Sequence, residues 1–576
     1  MNCAIDVKKL VSAAALMLSA GFMANASGDC RNLGPLDQGI VPARPEAVEN
    51  WRSLRFGMFI HWGPVSLSGR EIGWSRGRQT PVEEYDSLYK RFNPARFNAD
   101  EWVAAAKDAG MKYIVLTTKH HDGFCLWNTR HTDYSIMNTP FGRDVVKELS
   151  EACRRGGIRF GAYYSTCDWY HPDFPLASPG GRKQRERHDL DAYTDYMKSQ
   201  IHELLVNYGP LICMWHDVPQ KFDARRGAGV VNLERAIQPD ILVNNRTGHR
   251  GDFSTPEQRI GGFNMQRPWE TCMTICRQWA WKPNDRMKSL AVCVQSLLRT
   301  VGGDGNFLFN VGPQPDGLIE PRQVKRLKEM GEWISRHSEA IYGTRGGPWK
   351  PTTLISSTRK GDKIYLAVHR QCKKPLSLPA LPLEVKSAKT LEGISVKVEK
   401  DGDLFTLHMP GEAWDGVATV VELTVDGEAM SIPPIDTVEP HAIPGAKASA
   451  SSVFQNLPKF AAKMAIDADS GTRWATPPGT RQAWLRIDLP KKMTFKGLQI
   501  DEECCDEASR VKRWALQKLD GKDWITVYEG KAIGNHFETA VPPFTADAIR
   551  INILDATEGP TFSSVRLIDA DAEPKK

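Results

Sequence analysis

Short apolar runs alternate with amphipathic stretches between Trp51 and Tyr342. The runs are continuously apolar, which is typical of parallel strands that are buried on both faces. One intervening stretch, from Asp100 to Ala109, has helical spacing and is closed by Gly110. The pattern predicts an α/β fold whose clearest strands are residues 56–60, 113–116, 160–164, 211–214, 241–243 and 307–309.

Polar and aromatic side chains directly follow five of these predicted strands. In a barrel of parallel strands the carboxyl ends meet at one mouth, where the active site lies. No glycine-rich phosphate-binding sequence follows the first strand, which argues against an open nucleotide-binding sheet. We therefore predict a (β/α) TIM-like barrel over residues 30–345. The residues at the downstream ends of its strands are His61 and Trp62, His120, His121 and Asp122, Asp168 and Trp169, Trp215, His216 and Asp217, and Asn245 and Arg246.

After Trp349 the pattern changes to short segments that alternate apolar and polar residues, without a long helical stretch. Such segments, separated by turns, predict a β-sandwich over residues 350–432. A proline-bearing stretch from Ile432 to Pro444 predicts a linker. A second all-β sandwich is predicted over residues 440–572, with its clearest strands at residues 483–489 and 548–553.

The composition is that of an ordinary globular chain, since 41% of the 576 residues are apolar and 25% are charged. The net charge of +6 is spread thinly and forms no basic block, so we expect no nucleic-acid partner. Beyond the first 26 residues, no stretch approaches the roughly 18 apolar residues that a membrane span needs. Nothing in the sequence indicates an oligomeric state.

Residues 1–26 have the order of a secretory signal peptide. Lys8 and Lys9 precede an apolar run from Leu10 to Met23, and Ala24-Asn25-Ala26 matches a small-residue cleavage site. We expect a mature chain that starts near Ser27 and is secreted or located in the periplasm.

Asp217 is the first candidate for glycosidase chemistry, because a retaining enzyme needs one carboxylate as nucleophile and a second carboxyl group as acid/base. Residues two apart on a strand share a face, so Trp215 and Asp217 are predicted to point into the mouth and His216 away from it. An aspartate in this place can instead cap a helix or pair with an arginine. Its position beside Trp215, after a buried strand, favours the catalytic interpretation.

His61, His120 and His121 are predicted to bind sugar hydroxyl groups in the same mouth. Metal ligation is the competing interpretation, but the site has no His-X-His pair and no matching cluster of carboxylates. A third interpretation is that each histidine is satisfied inside the core. We expect no metal and no other cofactor.

Seven sequence motifs follow one another in order between Phe56 and Pro313. They run from Phe56 to Gly63, Thr118 to Phe124, Trp215 to Asp217, Asn244 to Arg246, Thr255 to Glu257, Trp269 to Cys272 and Asn306 to Pro313. Together they resemble the retaining alpha-L-fucosidases of glycoside hydrolase family 29, over about residues 40–345. The resemblance implies a barrel that cleaves alpha-L-fucosides of glycans through a covalent fucosyl-enzyme. It implies Asp217 as nucleophile and, as sugar-binding residues, His61, His120, His121, Trp215 and Arg246.

The acid/base has two candidates within the resemblance. Glu257 is the better match, and Glu270 competes with it. We prefer Glu257 because Trp269 and Glu270 are predicted to open a helical stretch, where a glutamate favours the N-terminal dipole. Cys272 and Cys276 would then share one face of that helix.

The sequence departs from the family pattern at one place. The family has an adjacent glutamate-tryptophan pair early in the barrel, whereas the corresponding stretch here is Glu71-Ile72-Gly73-Trp74. Glu71 and Trp74 are both predicted to bind substrate. Fucose carries a methyl group, so its pocket needs an apolar wall beside the hydrogen-bonding groups. Trp279 or Trp281 is the candidate for that wall, and Trp281 is counted among the predicted substrate-binding residues.

The C-terminal region, roughly residues 440–570, resembles discoidin-type (coagulation factor C-type) modules. The supporting residues are 448–452, 465–467, 472–475 and 484–489. The resemblance implies carbohydrate binding by this module, and Trp474 and Trp484 are predicted to lie in its core.

Three alternative functions remain open at this point. A barrel glycosidase for another sugar, such as a galactoside, would use the same carboxylates. A secreted glycan-binding protein would have lost catalysis, against which the presence of both Asp217 and Glu257 argues. A metal-dependent hydrolase is the third alternative, and it would lose activity in the presence of a chelator.

Overall fold

The structure is a computed structural model that describes residues 39–181, 183–372, 375–437, 443, 445–467, 472–502, 509–534 and 537–569. The predicted signal peptide, residues 1–26, lies outside these residues. The described chain divides into two compact units, one up to Gly346 and one from Gly347 onward. Two short stretches are exceptions to this boundary. Residues 258–260 belong to the second unit, and residues 358–360 belong to the first.

A parallel sheet forms the centre of the first unit. Its strands are β1 (Phe56–Ile60), β2 (Tyr113–Lys119), β3 (Arg159–Ser165), β4 (Cys213–Asp217), β5 (Leu242–Val243), β6 (Glu270–Thr274) and β7 (Asn306–Val311). They pair in the order β5-β4-β3-β2-β1-β7-β6. Most of their residues are buried, as the continuous apolar runs predict.

Residues 253–257 connect the two edges of this sheet. Asn244, directly after β5, forms a parallel bridge with Phe253, and Ser254 and Glu257 form parallel bridges with Trp269 and Cys272 at β6. The sheet therefore continues around from β5 to β6 through an irregular eighth segment. This closure places the carboxyl ends of all the strands around one opening.

Helices follow the strands in the alternating order of an α/β barrel. The first unit contains α1 (Pro45–Ser53), α2 (Val82–Ser87), α3 (Ala99–Asp108), α4 (Val145–Gly156), α5 (Leu190–Asn207), α6 (Ala224–Ile237), α7 (Leu290–Gly302) and α8 (Pro321–His337). The predicted helix 100–109 corresponds to α3. It begins where the Asn98 side chain accepts hydrogen bonds from the backbone N–H groups of Asp100 and Glu101.

The second unit begins with two antiparallel sheets that share a core. Strand β8 (Arg345–Gly346) lies at the end of the first unit. The strands of the two sheets are β9 (Ile355–Lys360), β10 (Lys363–Val368), β11 (Leu376–Pro379), β12 (Val385–Thr390), β13 (Lys397–Asp401), β14 (Leu404–His408) and β15 (Thr419–Val425). One sheet has the order β12-β15-β10-β9 and the other β11-β14-β13. Leu366 and Val421 of the first sheet lie in one apolar cluster with Leu378 and Phe405 of the second. This is the arrangement of a β-sandwich.

A further all-β region follows with its own apolar cluster. Its strands are β16 (Lys447–Ala450), β17 (Trp474–Ala475), β18 (Ala483–Glu502), β19 (Val511–Asp520), β20 (Asp523–Gly530), β21 (Phe537–Ala556) and β22 (Thr561–Asp569). The two strands that the sequence showed most clearly, within β18 and β21, pair with each other in antiparallel register. The predicted barrel followed by all-β sandwiches is thus confirmed.

Two local predictions were wrong. Residues 270–274 form strand β6 rather than a helix, because they pair in parallel with β7 from Glu270 to Thr274. Trp484 alternates with the buried Ala483 and Leu485 and so lies on the face of β18 opposite the core, whereas Trp474 is fully buried as predicted. Within the described residues, no helix combines the length and apolar character that crossing a membrane would need.

Candidate active site

A cavity of about 380 Å³ opens where the carboxyl ends of the barrel strands meet. The structure brings eight of the ten predicted site residues to it, while Glu71 and Trp281 are not among its lining. The lining residues are Phe59, His61, Trp74, His120, His121, Tyr163, Trp215, Asp217, Val218, Pro219, Gln220, Arg246, Glu257, Cys272 and Trp279.

Asp217 is the last residue of β4, and its carboxylate faces the cavity. The Tyr163 hydroxyl donates a 3.0 Å hydrogen bond to Asp217 Oδ2, and His121 Nε2 lies 3.8 Å from the same oxygen. The preceding residue, His216, points the other way, as the alternation predicts. Its Nε2 lies 2.6 Å from Glu234 on α6, and both side chains are fully buried.

Arg246 joins the two carboxylates that the sequence singles out. Its Nη1 lies 2.8 Å from Asp217 Oδ1 and 2.8 Å from Glu257 Oε2. Because both contacts end on the same nitrogen, the two carboxylate oxygens can be no further apart than twice 2.8 Å. The two carboxyl groups of retaining glycosidases are typically about 5–5.5 Å apart, while inverting enzymes place them at about 6.5–9.5 Å.

The remaining donors of Arg246 hold it in place. Its Nε donates to Thr255 Oγ1 and its Nη2 to the Thr255 carbonyl oxygen. The guanidinium also lies over the Trp215 ring, 4.9 Å from the ring centre. Thr255 belongs to the segment that closes the barrel, so this segment positions both Arg246 and Glu257.

The charge state of Asp217 follows from this contact. Burial on its own would favour the neutral acid, but the Arg246 guanidinium and the hydrogen bonds to the carboxylate hold the pKa of Asp217 below its usual value. Asp217 is therefore an anion at neutral pH. Glu257 lies at the rim, where its side chain is 41% exposed.

The three cavity histidines are neutral at physiological pH. Burial lowers the pKa of His61 to about 3 and that of His121 to about 4, and it lowers the pKa of His120 well below the usual value. His121 Nδ1 contacts Ser165 Oγ at 2.7 Å. His120 Nδ1 is buried without a hydrogen-bond partner among the residues that the structure describes.

Asn310 sets the tautomer of His61. The Asn310 Nδ2 group donates to the Trp279 carbonyl oxygen at 2.8 Å, and Asn310 Oδ1 lies 2.6 Å from His61 Nδ1. Since Oδ1 can only accept, His61 Nδ1 must carry the proton. The second ring nitrogen, Nε2, is then a hydrogen-bond acceptor, a group suited to a sugar hydroxyl.

Aromatic rings form an apolar wall beside these polar groups. Phe59 lies 5.2 Å from the Trp215 ring and 5.9 Å from the Trp279 ring, measured between ring centres. Tyr163 stacks on Trp215 at 5.5 Å. The cavity thus offers an apolar side and a hydrogen-bonding side, as a deoxy sugar requires.

Glu270 lies beneath the Trp215 wall and is fully buried. It accepts hydrogen bonds from the Trp215 indole N–H at 2.9 Å and from the Tyr113 hydroxyl. Burial raises the pKa of Glu270 to about 7. The helical environment expected for Glu270 was wrong, and of the two acid/base candidates only Glu257 lines the cavity.

Two predicted substrate-binding residues lie elsewhere. The Glu71 carboxylate is bound to the backbone N–H groups of Ile72, Trp279 and Ala280. The last two contacts hold residues 279 and 280. The Trp279 ring lines the cavity, while Trp281 is not among the lining residues. Trp279 therefore supplies the wall for which Trp281 was chosen.

Tyr163 and Phe59 lie in the site although the sequence analysis did not select them. A signal was present for Phe59, because it stands two residues before the predicted site residue His61 and residues two apart on an extended segment share a face. Tyr163 lies within the predicted strand 160–164, which gave no such spacing. The described residues contain no group of three or more His, Cys, Asp or Glu side chains that could hold a metal ion.

Comparison with known proteins matches two separate regions of the chain to two different family models. The Alpha-L-fucosidase family model matches residues 41–339, and the F5/8 type C domain model matches residues 447–567. The human tissue alpha-L-fucosidase is 30% identical over 348 residues, which are 54% of this chain and 73% of that protein.

Two solved structures are also similar. The alpha-L-fucosidase isoenzyme 1 from Paenibacillus thiaminolyticus has a TM-score of 0.62 and 34% identity, covering 66% of this chain and 99% of that one. A trapped covalent intermediate of an alpha-L-fucosidase from Bacteroides thetaiotaomicron with 2-fluoro-fucosyl fluoride has a TM-score of 0.62 and 26% identity. It covers 69% of this chain and 100% of that one.

Proposed function

Because the chain belongs to the alpha-L-fucosidase family of glycoside hydrolases, we propose that it is an exo-acting enzyme that removes terminal alpha-L-fucosyl residues from glycans. The proposal includes retention of configuration through a covalent fucosyl-enzyme. The observation that carries it is the contact of one Arg246 nitrogen with both Asp217 and Glu257, at 2.8 Å each. This contact keeps the carboxyl groups close enough for direct attack.

In the first step, an Asp217 carboxylate oxygen attacks the anomeric carbon of the fucoside. Glu257, in its acid form, gives its proton to the glycosidic oxygen as the bond to the leaving group breaks. The products are the free aglycone and a fucosyl ester of Asp217. The rim position of Glu257 suits the acid, because the leaving group must depart toward solvent.

In the second step, the Glu257 carboxylate takes a proton from water as that water attacks the anomeric carbon. The ester bond breaks, Asp217 returns to its anionic form, and Glu257 is again an acid. Two inversions at the same carbon give net retention. Arg246 and the Tyr163 hydroxyl favour the anionic leaving form of Asp217 in this step.

The residues that line the cavity favour fucose as the bound sugar. His61 Nε2, His120 and His121 are neutral groups for hydroxyl recognition, and Trp74 lines the same side. Phe59, Trp215 and Trp279 offer the surface for the methyl group. A volume of about 380 Å³ lies near the lower end of the 300–1,000 Å³ typical of small-molecule sites, which suits one terminal residue.

Export belongs to the proposal as well. The segment 1–26 would direct the chain to the periplasm or the medium, where glycans of other cells are accessible. N-terminal sequencing of the protein recovered from those fractions should begin near Ser27.

The F5/8 type C domain is proposed to bind glycan. A cavity of about 250 Å³ in this domain is lined by Phe454, Phe460 and Arg473, with the two phenyl rings 5.4 Å apart. Full-length Asp217→Gly protein should bind fucosylated glycans on an array, and Phe460→Ala in that background should reduce the signal. Equal binding by both proteins would refute the role of this cavity.

The central proposal is tested by turnover of an aryl alpha-L-fucoside and an aryl galactoside. The wild-type enzyme should hydrolyse the fucoside, and Asp217→Gly and Glu257→Ala should each be strongly impaired. Near-normal turnover by both variants, or preference for the galactoside, would overturn it. Unchanged activity in the presence of a chelator would separate this mechanism from a metal-dependent one.

A further inference from the structure

Four successive backbone N–H groups beside the cavity are bound by only two carboxylates. Asp285 Oδ2 accepts from Arg277 and Gln278, at 2.9 and 3.0 Å. Glu71 accepts from the next two residues, Trp279 at 2.9 Å and Ala280 at 3.0 Å. We call residues 277–280 the clamped loop.

The clamped loop carries part of the cavity wall. The Trp279 ring lines the cavity and lies 4.7 Å from the His61 ring. The Trp279 carbonyl oxygen accepts from Asn310, whose Oδ1 holds His61 Nδ1. A continuous set of contacts therefore leads from Glu71 through the Trp279 peptide and Asn310 to His61.

We propose that Glu71 is a positioning residue that holds Trp279 against the methyl side of the sugar, rather than a ligand to sugar hydroxyls. The inference rests on the proposed fucosidase function. Charge-assisted hydrogen bonds from backbone N–H groups are strong and directional, so a carboxylate that receives two of them from the clamped loop fixes that loop tightly.

The hydrogen bonds of the carboxylate agree with this role. Both of its oxygens are in use, since Oε1 accepts from Ile72 and Ala280 and Oε2 accepts from Trp279. Glu71 is also absent from the lining of the cavity. Burial raises the pKa of Glu71 to about 7 and the charge of Asp285 adds to the rise, while the three N–H donors oppose it.

The two possible roles of Glu71 predict different substrate selectivity. A beta-D-arabinopyranoside has the hydroxyl arrangement of an alpha-L-fucoside but lacks the methyl group. Loss of a hydroxyl ligand would slow both substrates by the same factor. Displacement of Trp279 would slow the fucoside more, because only the fucoside places a methyl group against that ring.

The test compares kcat/KM for p-nitrophenyl alpha-L-fucoside and p-nitrophenyl beta-D-arabinopyranoside. An apolar pocket discriminates one carbon by about 10- to 200-fold. Glu71→Gln should lower the fucoside-to-arabinoside ratio of kcat/KM at least fivefold. The amide NH₂ group cannot accept a hydrogen bond, so at least one backbone N–H group that Glu71 binds would face another donor. Trp279→Ala should lower the ratio similarly, and Glu83→Gln, at an exposed glutamate of α2, should leave it unchanged.

A second variant keeps the proposal testable if Glu71→Gln does not fold. Asp285→Asn loosens the same loop from its other end while leaving every hydrogen bond of Glu71 in place, and it should also lower the ratio. The ratio of inhibition constants for L-fucose and D-arabinose supplies the same comparison if the arabinoside is turned over too slowly.

Equal losses on both substrates in Glu71→Gln, with the ratio unchanged, would overturn the proposal. An unchanged ratio in Trp279→Ala would overturn it too, because Trp279 would then not contact the methyl group. Absence of fucoside hydrolysis by the wild-type enzyme would instead refute the proposed function itself.

Discussion

Asp217 and Arg246 form a 2.8 Å ion pair in which the same guanidinium nitrogen also contacts Glu257. The pair has a chemical consequence as well as a geometric one. Without the cation, burial alone would raise the pKa of Asp217 and reduce the anionic fraction of this proposed nucleophile.

Arg246→Lys is expected to lower kcat/KM on an aryl fucoside by about 10- to 100-fold, since a charge-assisted hydrogen bond is worth about 1.5–3 kcal/mol. Arg246→Gln, which removes the cation that Arg246→Lys keeps, should also move the acidic limb of the pH–kcat/KM profile to higher pH, because the proposed attack requires an ionised Asp217. The profile of Arg44→Lys, an exposed arginine paired with Asp240, serves as control and should match the wild type. An unshifted acidic limb in Arg246→Gln would show that Arg246 does not set the pKa of Asp217.

Glu257→Ala should slow hydrolysis of a fucosylated oligosaccharide by about 10²- to 10⁴-fold, the usual contribution of a general acid. The loss should be smaller for a dinitrophenyl fucoside, whose leaving group needs no proton. Added azide should restore turnover of this substrate and give alpha-fucosyl azide, because azide needs no general base.

Glu270→Gln is the matched control for the acid/base assignment. Its amide can still accept from the Trp215 N–H and donate to the Tyr113 oxygen, so kcat/KM should stay within about fivefold of the wild type. The assignment of Glu257 as acid/base would be wrong if Glu270→Gln lost activity by about 10²- to 10⁴-fold while Glu257→Ala kept near-normal activity.

Glu270 should also leave a pH signature in stability. Its folded-state pKa of about 7 lies above its ordinary 4.5, so between these values the folded protein holds a proton that the unfolded chain has released. Wild-type stability relative to Glu270→Gln should therefore fall as pH rises from about 4.5 to 7, by up to about 3 kcal/mol. Denaturant unfolding of both proteins across this range tests the point, and a difference that is independent of pH would contradict it.

The apolar wall of Phe59, Trp215 and Trp279 predicts discrimination against a hydroxyl group on carbon 6 of the sugar. An alpha-L-galactoside differs from the fucoside only by this hydroxyl, and an apolar pocket rejects such an addition by about 10²-fold at most. We expect the aryl fucoside to be preferred by about 10- to 100-fold in kcat/KM. Equal rates on the two substrates would mean that the methyl group does not face this wall.

Strand-end chemistry is the part of the site that could be predicted from sequence. Each buried run fixes a face, and the residue two positions after an inward side chain shares that face, which is how Trp215 led to Asp217. Parallel strands then bring their carboxyl ends together regardless of their separation along the chain.

The clamped loop could not be predicted in this way. Glu71 and Trp279 are 208 residues apart, and the contact joins a side chain to backbone N–H groups, which carry no residue-specific signal. Strand β6 was missed for a related reason. A glutamate is tolerated in a buried strand only because Tyr113 and Trp215, from two other strands, donate to it.

Covalent trapping tests the central claim most directly. The enzyme should be incubated with 2-deoxy-2-fluoro-fucosyl fluoride. The fluorine at carbon 2 slows both steps, but the anomeric fluoride is a good leaving group that speeds the first, so the covalent intermediate accumulates. Mass spectrometry of the intact protein and its peptides should show one fluorofucosyl group, attached to Asp217, and no adduct on Asp217→Gly. An enzyme that turns over fucosides but carries no adduct, or carries it on another residue, would contradict the account.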